Sequence, residues 1–161
     1  MNEVNIRPIT AKDNAALAFI VRNALKEFKA DKQGTVYFDE STDHLFELFQ
    51  QKKSAYNVIE INGKLLGGAG IYPTAGLPDD TCELVKMYLA PEARGKGFGK
   101  QLLQKSSSIA KEFGFAKIYL ESMPELATAI GMYQKNGFTA LQKPLGNSGH
   151  SGCDIWMIKI L

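Results

Sequence analysis

The chain has 161 residues, 45% of them apolar, enough for a single globular domain with a sizeable core over residues 1–161. Nineteen Lys plus Arg against 17 Asp plus Glu leave a net charge of +2, too balanced for a nucleic-acid partner on charge alone. No basic-then-apolar leader and no apolar run of membrane-spanning length appears, so a cytoplasmic location without membrane contact is expected. In chain order, Val4 to Ile9 alternates as a first strand, and Thr10 with Asp13 three residues on can cap a helix. Leu17, Ile20, Val21, Ala24, Leu25 and Phe28 supply that helix with one apolar face. A polar loop, Asp31 to Tyr37, leads to a second helix predicted over Ser41 to Gln51, with Leu45, Leu48 and Phe49 inward. Tyr56 to Ile61 and Lys64 to Tyr72 read as strands. Asn62-Gly63 between them signals a two-residue hairpin, because both central residues must take φ > 0.

After a loop from Pro73 to Asp80, Cys82 to Leu89 is a fourth strand that delivers the chain to a Gly-rich turn. The helix after the turn places Phe98, Leu102, Leu103, Ser106, Ile109, Ala110 and Phe113 on one face, and Gly114 stops it. Ile118 to Leu120 is a buried strand, Pro124 to Asn136 a further helix, and Phe138 to Leu141 an extended run. A glycine-rich loop from Lys143 to Gly152 precedes a last strand, Cys153 to Ile160. The order β-α-α-β-β-β-α-β-α-β-β predicts an α/β protein whose mixed sheet carries helices on its faces. Cys82 and Cys153 lie far apart without metal-ligand neighbours and read as reduced, buried thiols.

The chemistry is concentrated in Arg94-Gly95-Lys96-Gly97-Phe98-Gly99-Lys100. Three glycines in five residues let successive backbone N–H groups approach an anion, and the following helix aims its positive end at the same spot. Arg94, Lys96 and Lys100 add formal positive charge. A polyphosphate ligand is therefore expected. A P-loop would need Ser or Thr after Gly99-Lys100, where Gln101 stands, and the glycine spacing is not the G-x-G-x-x-G of dinucleotide folds.

Arg-x-x-Gly-x-Gly, Arg94 to Gly99, does resemble the acetyl-coenzyme A signature of the GCN5-related N-acetyltransferase (GNAT) superfamily. Ala129-Ile130-Gly131-Met132-Tyr133-Gln134-Lys135-Asn136-Gly137-Phe138 resembles the family's A-I-x-x-Y-x-x-x-G-F stretch, and the element order matches its fold from residue 3 onward. The resemblance implies transfer of an acetyl group from acetyl-CoA to a primary amine of a small molecule or polypeptide by direct attack, without a metal. A non-catalytic acyl-CoA-binding regulatory module is the alternative. A monomer or homodimer is expected.

The resemblance also implies roles for particular residues. Glu83, eleven positions before Arg94, matches a catalytic base, against the plainer reading of a structural glutamate paired with Lys86. Tyr133 matches the tyrosine that serves the leaving thiolate, against plain packing with Phe138. Met87, Tyr88 and Leu89 would hold pantetheine on a splayed strand, and Arg94, Gly95, Lys96, Gly97, Phe98, Gly99 and Lys100 would hold the pyrophosphate. One departure is Leu126, where many members place an asparagine toward pantetheine; Ser122 is a substitute. Tyr37, Phe38, Asp39, His150 and Asp154 are the acceptor-side candidates.

Overall fold

The computed structural model describes residues 2–161. Its strands are β1 (Val4–Pro8), β2 (Ala55–Ile61), β3 (Lys64–Tyr72), β4 (Thr81–Leu89), β5 (Lys117–Ser122), β6 (Thr139–Leu141) and β7 (Ile155–Ile160). They form one sheet in the order β1-β2-β3-β4-β5-β7-β6, antiparallel except for the β4–β5 pair. The helices are α1 (Asn14–Glu27), α2 (Leu45–Leu48), α3 (Phe98–Glu112) and α4 (Ala127–Lys135). Among the described residues no helix is long and apolar enough to cross a membrane.

The alternation of β2 sorts its side chains to opposite faces of the sheet. Tyr56 and Val58 pack with Leu17 of α1, Leu45 and Phe49, whereas Ile59 and Ile61 belong with Leu102 and Leu103 of α3. The sheet is thus covered on both faces, and β3 and β4 run through the middle. At the β2–β3 hairpin Asn62 and Gly63 take φ of +53° and +79°, as the two-residue turn requires. Gly114, at φ +89°, closes α3.

Two helices differ from the sequence reading. The stretch expected to be one helix over 41–51 is a 3₁₀ turn, Glu40–Asp43, followed by the single turn of α2. The break at His44 (φ −135°, ψ 46°) has a tertiary cause: the Asn14 side chain of α1 accepts the Phe46 N–H at 2.9 Å and donates to Glu47 at 2.8 Å. The later helix begins as a 3₁₀ turn, Pro124–Leu126, and becomes α-helical only after Leu126 (φ −97°, ψ 44°).

Candidate active site

β4 carries the site. It pairs with β3 along one side, but on the other it meets β5 only through Thr81, Cys82 and Glu83. Beyond Glu83 the two strands part, and a cleft of about 620 Å³ opens between β4 and a second wall that includes Ser122, Leu126 and Tyr133. From Glu83 to the strand's end at Leu89 is six residues, about 20 Å at the rise of a strand, so the Gly-rich turn lies at one end of the cleft and Glu83 at the other. The splay expected of the fourth strand is present.

A bulge shapes the strand between these ends. Gly68 and Gly70 of β3 face Tyr88 and Val85, leaving Lys86 and Met87 opposite Ala69 alone, and Lys86 takes φ of +52°. The Tyr56 hydroxyl donates to the Lys86 carbonyl at 2.8 Å and holds the bulge from below. Positions 83 and 86 of a regular strand would face opposite sides; with the extra residue, Glu83 and Lys86 both line the cleft.

Glu83 is 3% exposed. One of its oxygens accepts the Thr74 hydroxyl at 2.6 Å. Burial pushes its pKa from the usual 4.5 up to about 7, opposed by the Thr74 bond and reinforced by the charge of Glu121. Its expected partner has gone elsewhere: Lys86 Nζ lies 3.1 Å from Asp39, and burial lowers the Lys86 pKa although Asp39 opposes this. Asp39 also meets His150 Nε2 at 2.6 Å. Burial alone would lower the His150 pKa, but the bond to Asp39 and its charge outweigh that and raise it. Glu121 on β5 accepts the Tyr119 hydroxyl at 2.7 Å and the Ser148 hydroxyl. Glu83, Glu121 and His150 each bring one ligand-type atom within 4.8 Å of the others, a spacing that also suits a cation, although hydroxyls and Asp39 already bond to all three. Across the cleft Tyr133 is buried against Phe138, with ring centroids 5.7 Å apart, and burial pushes its phenol up to about 12.

At the far end, Gly97 caps α3 at φ +84°, and a Cβ built on it would meet nothing in the protein but open space. Among the described residues, the backbone N–H groups from Gly95 to Lys100 bond to no carbonyl; the first helical bond is Gln101 N–H to Gly97. Six unpaired donors at the positive end of a 15-residue helix, on backbone without side-chain cover, fit a pyrophosphate.

The charged side chains of the turn are arranged differently from expectation. Arg94 lines the cleft, but its Nε donates to the Leu89 carbonyl at 3.1 Å, one Nη pairs with Glu27, and the guanidinium lies 4.8 Å from the centre of the Phe28 ring. Its Nη2 is buried without a partner and is the part left to face a ligand. Lys96 turns away from the cleft to the Glu92 carbonyl at 3.0 Å, and the Phe98 ring is buried in the core, so at these two positions only the backbone serves the turn. Gly95, Gly99 and Lys100 line the cleft, as do Met87, Tyr88 and Leu89.

On the acceptor side, the structure brings His150 and Asp39 to Glu83 but not Tyr37, Phe38 or Asp154. The Tyr37 and Phe38 rings pack on each other at 5.0 Å outside the cleft, and Asp154 is exposed, because the turn before β7 directs it to solvent. Glu121, Thr74 and Ser148 complete the cluster beside Lys86, which the sequence suggested only as a structural partner of Glu83. A lysine inside an apolar strand was the one available signal, and only the bulge shows why it is tolerated.

Residues 21–138 match the sequence model of the acetyltransferase (GNAT) family. The chain belongs to the GNAT family. A relative in Escherichia coli (strain K12), described as the uncharacterized N-acetyltransferase YjgM, is 39% identical over 97% of this chain and 94% of its own. Among solved structures, a GNAT-family acetyltransferase from Staphylococcus aureus Mu50 superposes with a TM-score of 0.83 at 18% identity, covering 99% of both chains. The PaiA N-acetyltransferase from Thermoplasma acidophilum, solved in complex with coenzyme A, gives 0.77 at 21% identity, again over 99% of both. At these identities the structural likeness speaks for the fold. In this GNAT member, β4 parts from β5 beyond Glu83 and the Gly-rich turn leads into α3.

Proposed function

We propose that this acetyltransferase moves the acetyl group of acetyl-CoA onto a primary amine, with residues 1–161 acting as one catalytic domain. The observation that carries the reading is the cleft itself, which joins an anion-cradling turn at one end to a buried, half-ionised carboxylate at the other. The backbone N–H groups of residues 95–100, with Arg94 Nη2 and Lys100 beside them, would hold the pyrophosphate, and Met87 to Leu89 would hold pantetheine. Acetyl-CoA supplies an activated acyl group, a thioester, when bound. Glu83, with a pKa of about 7, is ionised often enough at neutral pH to take the proton of an incoming ammonium, and basic enough to hold it. Tyr133 keeps its proton at every physiological pH and holds it at Oη, available to a leaving thiolate. Leu126 and Ser122 on the opposite wall would pack on pantetheine in place of an asparagine.

Binding is tested by thermal denaturation. Acetyl-CoA at a hundred times its Kd should stabilise the protein by about 2.7 kcal/mol, and ATP much less. Equal shifts with the two ligands would refute the cofactor assignment. Thiol release over an amine panel then separates an enzyme from an acyl-CoA-binding module, because the module binds acetyl-CoA and releases none.

A further inference from the structure

The acceptor end of the cleft lies beneath the connection between β6 and β7, residues 143–152, and that connection is fastened at every stage of its course. The Leu145 N–H donates to the Tyr119 hydroxyl at 3.1 Å, and the Asn147 N–H to the Ala75 carbonyl at 2.7 Å. The Ser148 hydroxyl donates to Glu121, His150 meets Asp39 at 2.6 Å, and the Gly152 N–H donates to the Gly34 carbonyl at 2.9 Å. The segment thus joins the β3–β4 connection, β5 and the α1–α2 connection into one cover. Its last junction depends on two glycines in mutual contact. A Cβ on Gly34 would lie 2.4 Å from Ser151 Oγ and 2.7 Å from the Gly152 nitrogen, and one on Gly152 would lie 2.5 Å from the Gln33 carbonyl oxygen.

Under the cover the side chains of Lys86, Glu121 and His150 are 4%, 5% and 12% exposed, whereas Asp39 at its edge is 29% exposed. A polypeptide acceptor needs an open exit for the chain that carries the reactive amine, one for a terminal residue and two for an internal one. Here the two connections flanking the acceptor position are closed on each other. The cleft's 620 Å³ is the size of a pocket for one small ligand, and the pantetheine arm must share it. The charges are also informative. Asp39, Glu83 and Glu121 stand against Lys86 and His150, three acids to two bases, an excess of one negative charge when all are ionised. That balance suits one ammonium that arrives charged and loses its proton to Glu83.

We propose that the acceptor is a small, polar primary amine, and not a residue within or at the end of a polypeptide, because the 143–152 connection covers the acceptor end of the cleft through His150 and its bond to Asp39. The inference rests on the N-acetyltransferase reading above.

The test follows thiol release from acetyl-CoA by the intact protein with two panels at matched concentrations. One holds diamines, amino acids, amino sugars and arylalkylamines; the other holds peptides of six or more residues with free N-termini or internal lysines. The best small amine should exceed the best peptide in kcat/KM by roughly a hundredfold or more, a ratio within reach of differential transition-state binding. A peptide inside that margin overturns the proposal. So does the absence of turnover with every small amine by a protein that binds acetyl-CoA, a result that leaves the cofactor assignment standing; failure to bind acetyl-CoA overturns the reading beneath both. Gly152→Val supplies a second arm, because its side chain meets the Gln33 carbonyl and must part the two connections. It should retain acetyl-CoA binding, which reports an intact fold, while kcat/KM for the small amine drops about tenfold or more and amide exchange quickens across residues 145–152. Wild-type turnover and exchange in Gly152→Val would overturn the assignment of the cover.

Discussion

Replacing Glu83 by glutamine should change how stability depends on pH before any activity is measured. The folded protein holds this carboxyl at a pKa of about 7 instead of the usual 4.5, mainly because it is buried. Below both values the carboxyl is neutral in the folded and unfolded states and contributes nothing to the difference. Between them the unfolded chain releases the proton while the folded chain keeps it, so stability falls as pH rises and the loss is complete above pH 7. At about 1.36 kcal/mol per pH unit, the displacement amounts to about 3 kcal/mol. Glutamine keeps nearly the same shape and never ionises, so Glu83→Gln should gain about that much relative to the wild type between about pH 4.5 and pH 8. In thermal scans this is roughly 6 to 12 °C for a chain of this size. Urea unfolding of both proteins at several pH values measures it directly, since Asp13, Asp39 and the other shifted acids are common to both and cancel. A stability gap that stays constant across the range would refute the claim that Glu83 is held in a desolvated, proton-retaining site.

Three further outcomes are expected. Gly97→Val should lose acetyl-CoA binding, read by thermal shift, because its side chain would project into open cleft space at φ +84°, a backbone region that β-branched residues avoid. Tyr133→Phe should keep acetyl-CoA affinity, since the ring remains packed on Phe138, but reduce kcat by roughly a hundredfold where chemistry limits the rate; full turnover would make the tyrosine a packing residue. Arg94→Ala should destabilise the protein by about 2 kcal/mol, from the charged hydrogen bond to the Leu89 carbonyl and the stacking on Phe28, and urea unfolding of the unliganded protein checks it.

What could be read from the sequence was local in origin. Asn62-Gly63 dictates its own turn, and the glycines at 95, 97 and 99 expose backbone whatever surrounds them. The apolar face of α3 and its glycine stop needed only helical periodicity. Long-range causes were not readable in the same way. The short α2 is set by Asn14, more than thirty residues earlier, and the orientation of Lys86 by a bulge held by the Tyr56 hydroxyl. Arg94 looked like a phosphate ligand because charge beside a Gly-rich turn suits that role, yet Glu27 at the end of α1 and Phe28 just past it take most of its guanidinium. Among the acceptor-side candidates, Asp39 and His150 meet only because two connections, 111 positions apart, close on each other. No spacing rule links them.

The parting of β4 from β5 has a consequence for the protein before any ligand arrives. Sheets usually guard their unpaired margins by placing them at the outside, where a charge, a proline or a short strand blunts them. This sheet has such a margin in its interior, where β4 runs on past Glu83 without a β5 partner. The residues along it, Met87, Tyr88 and Leu89, are apolar and only partly covered. During synthesis, or in a cell short of its acyl donor, that stretch is a docking edge for any extended chain that can enter the gap. Occupancy of the cleft is then a safeguard of the folded population, and preparations freed of their ligand should be the first to self-associate as concentration rises.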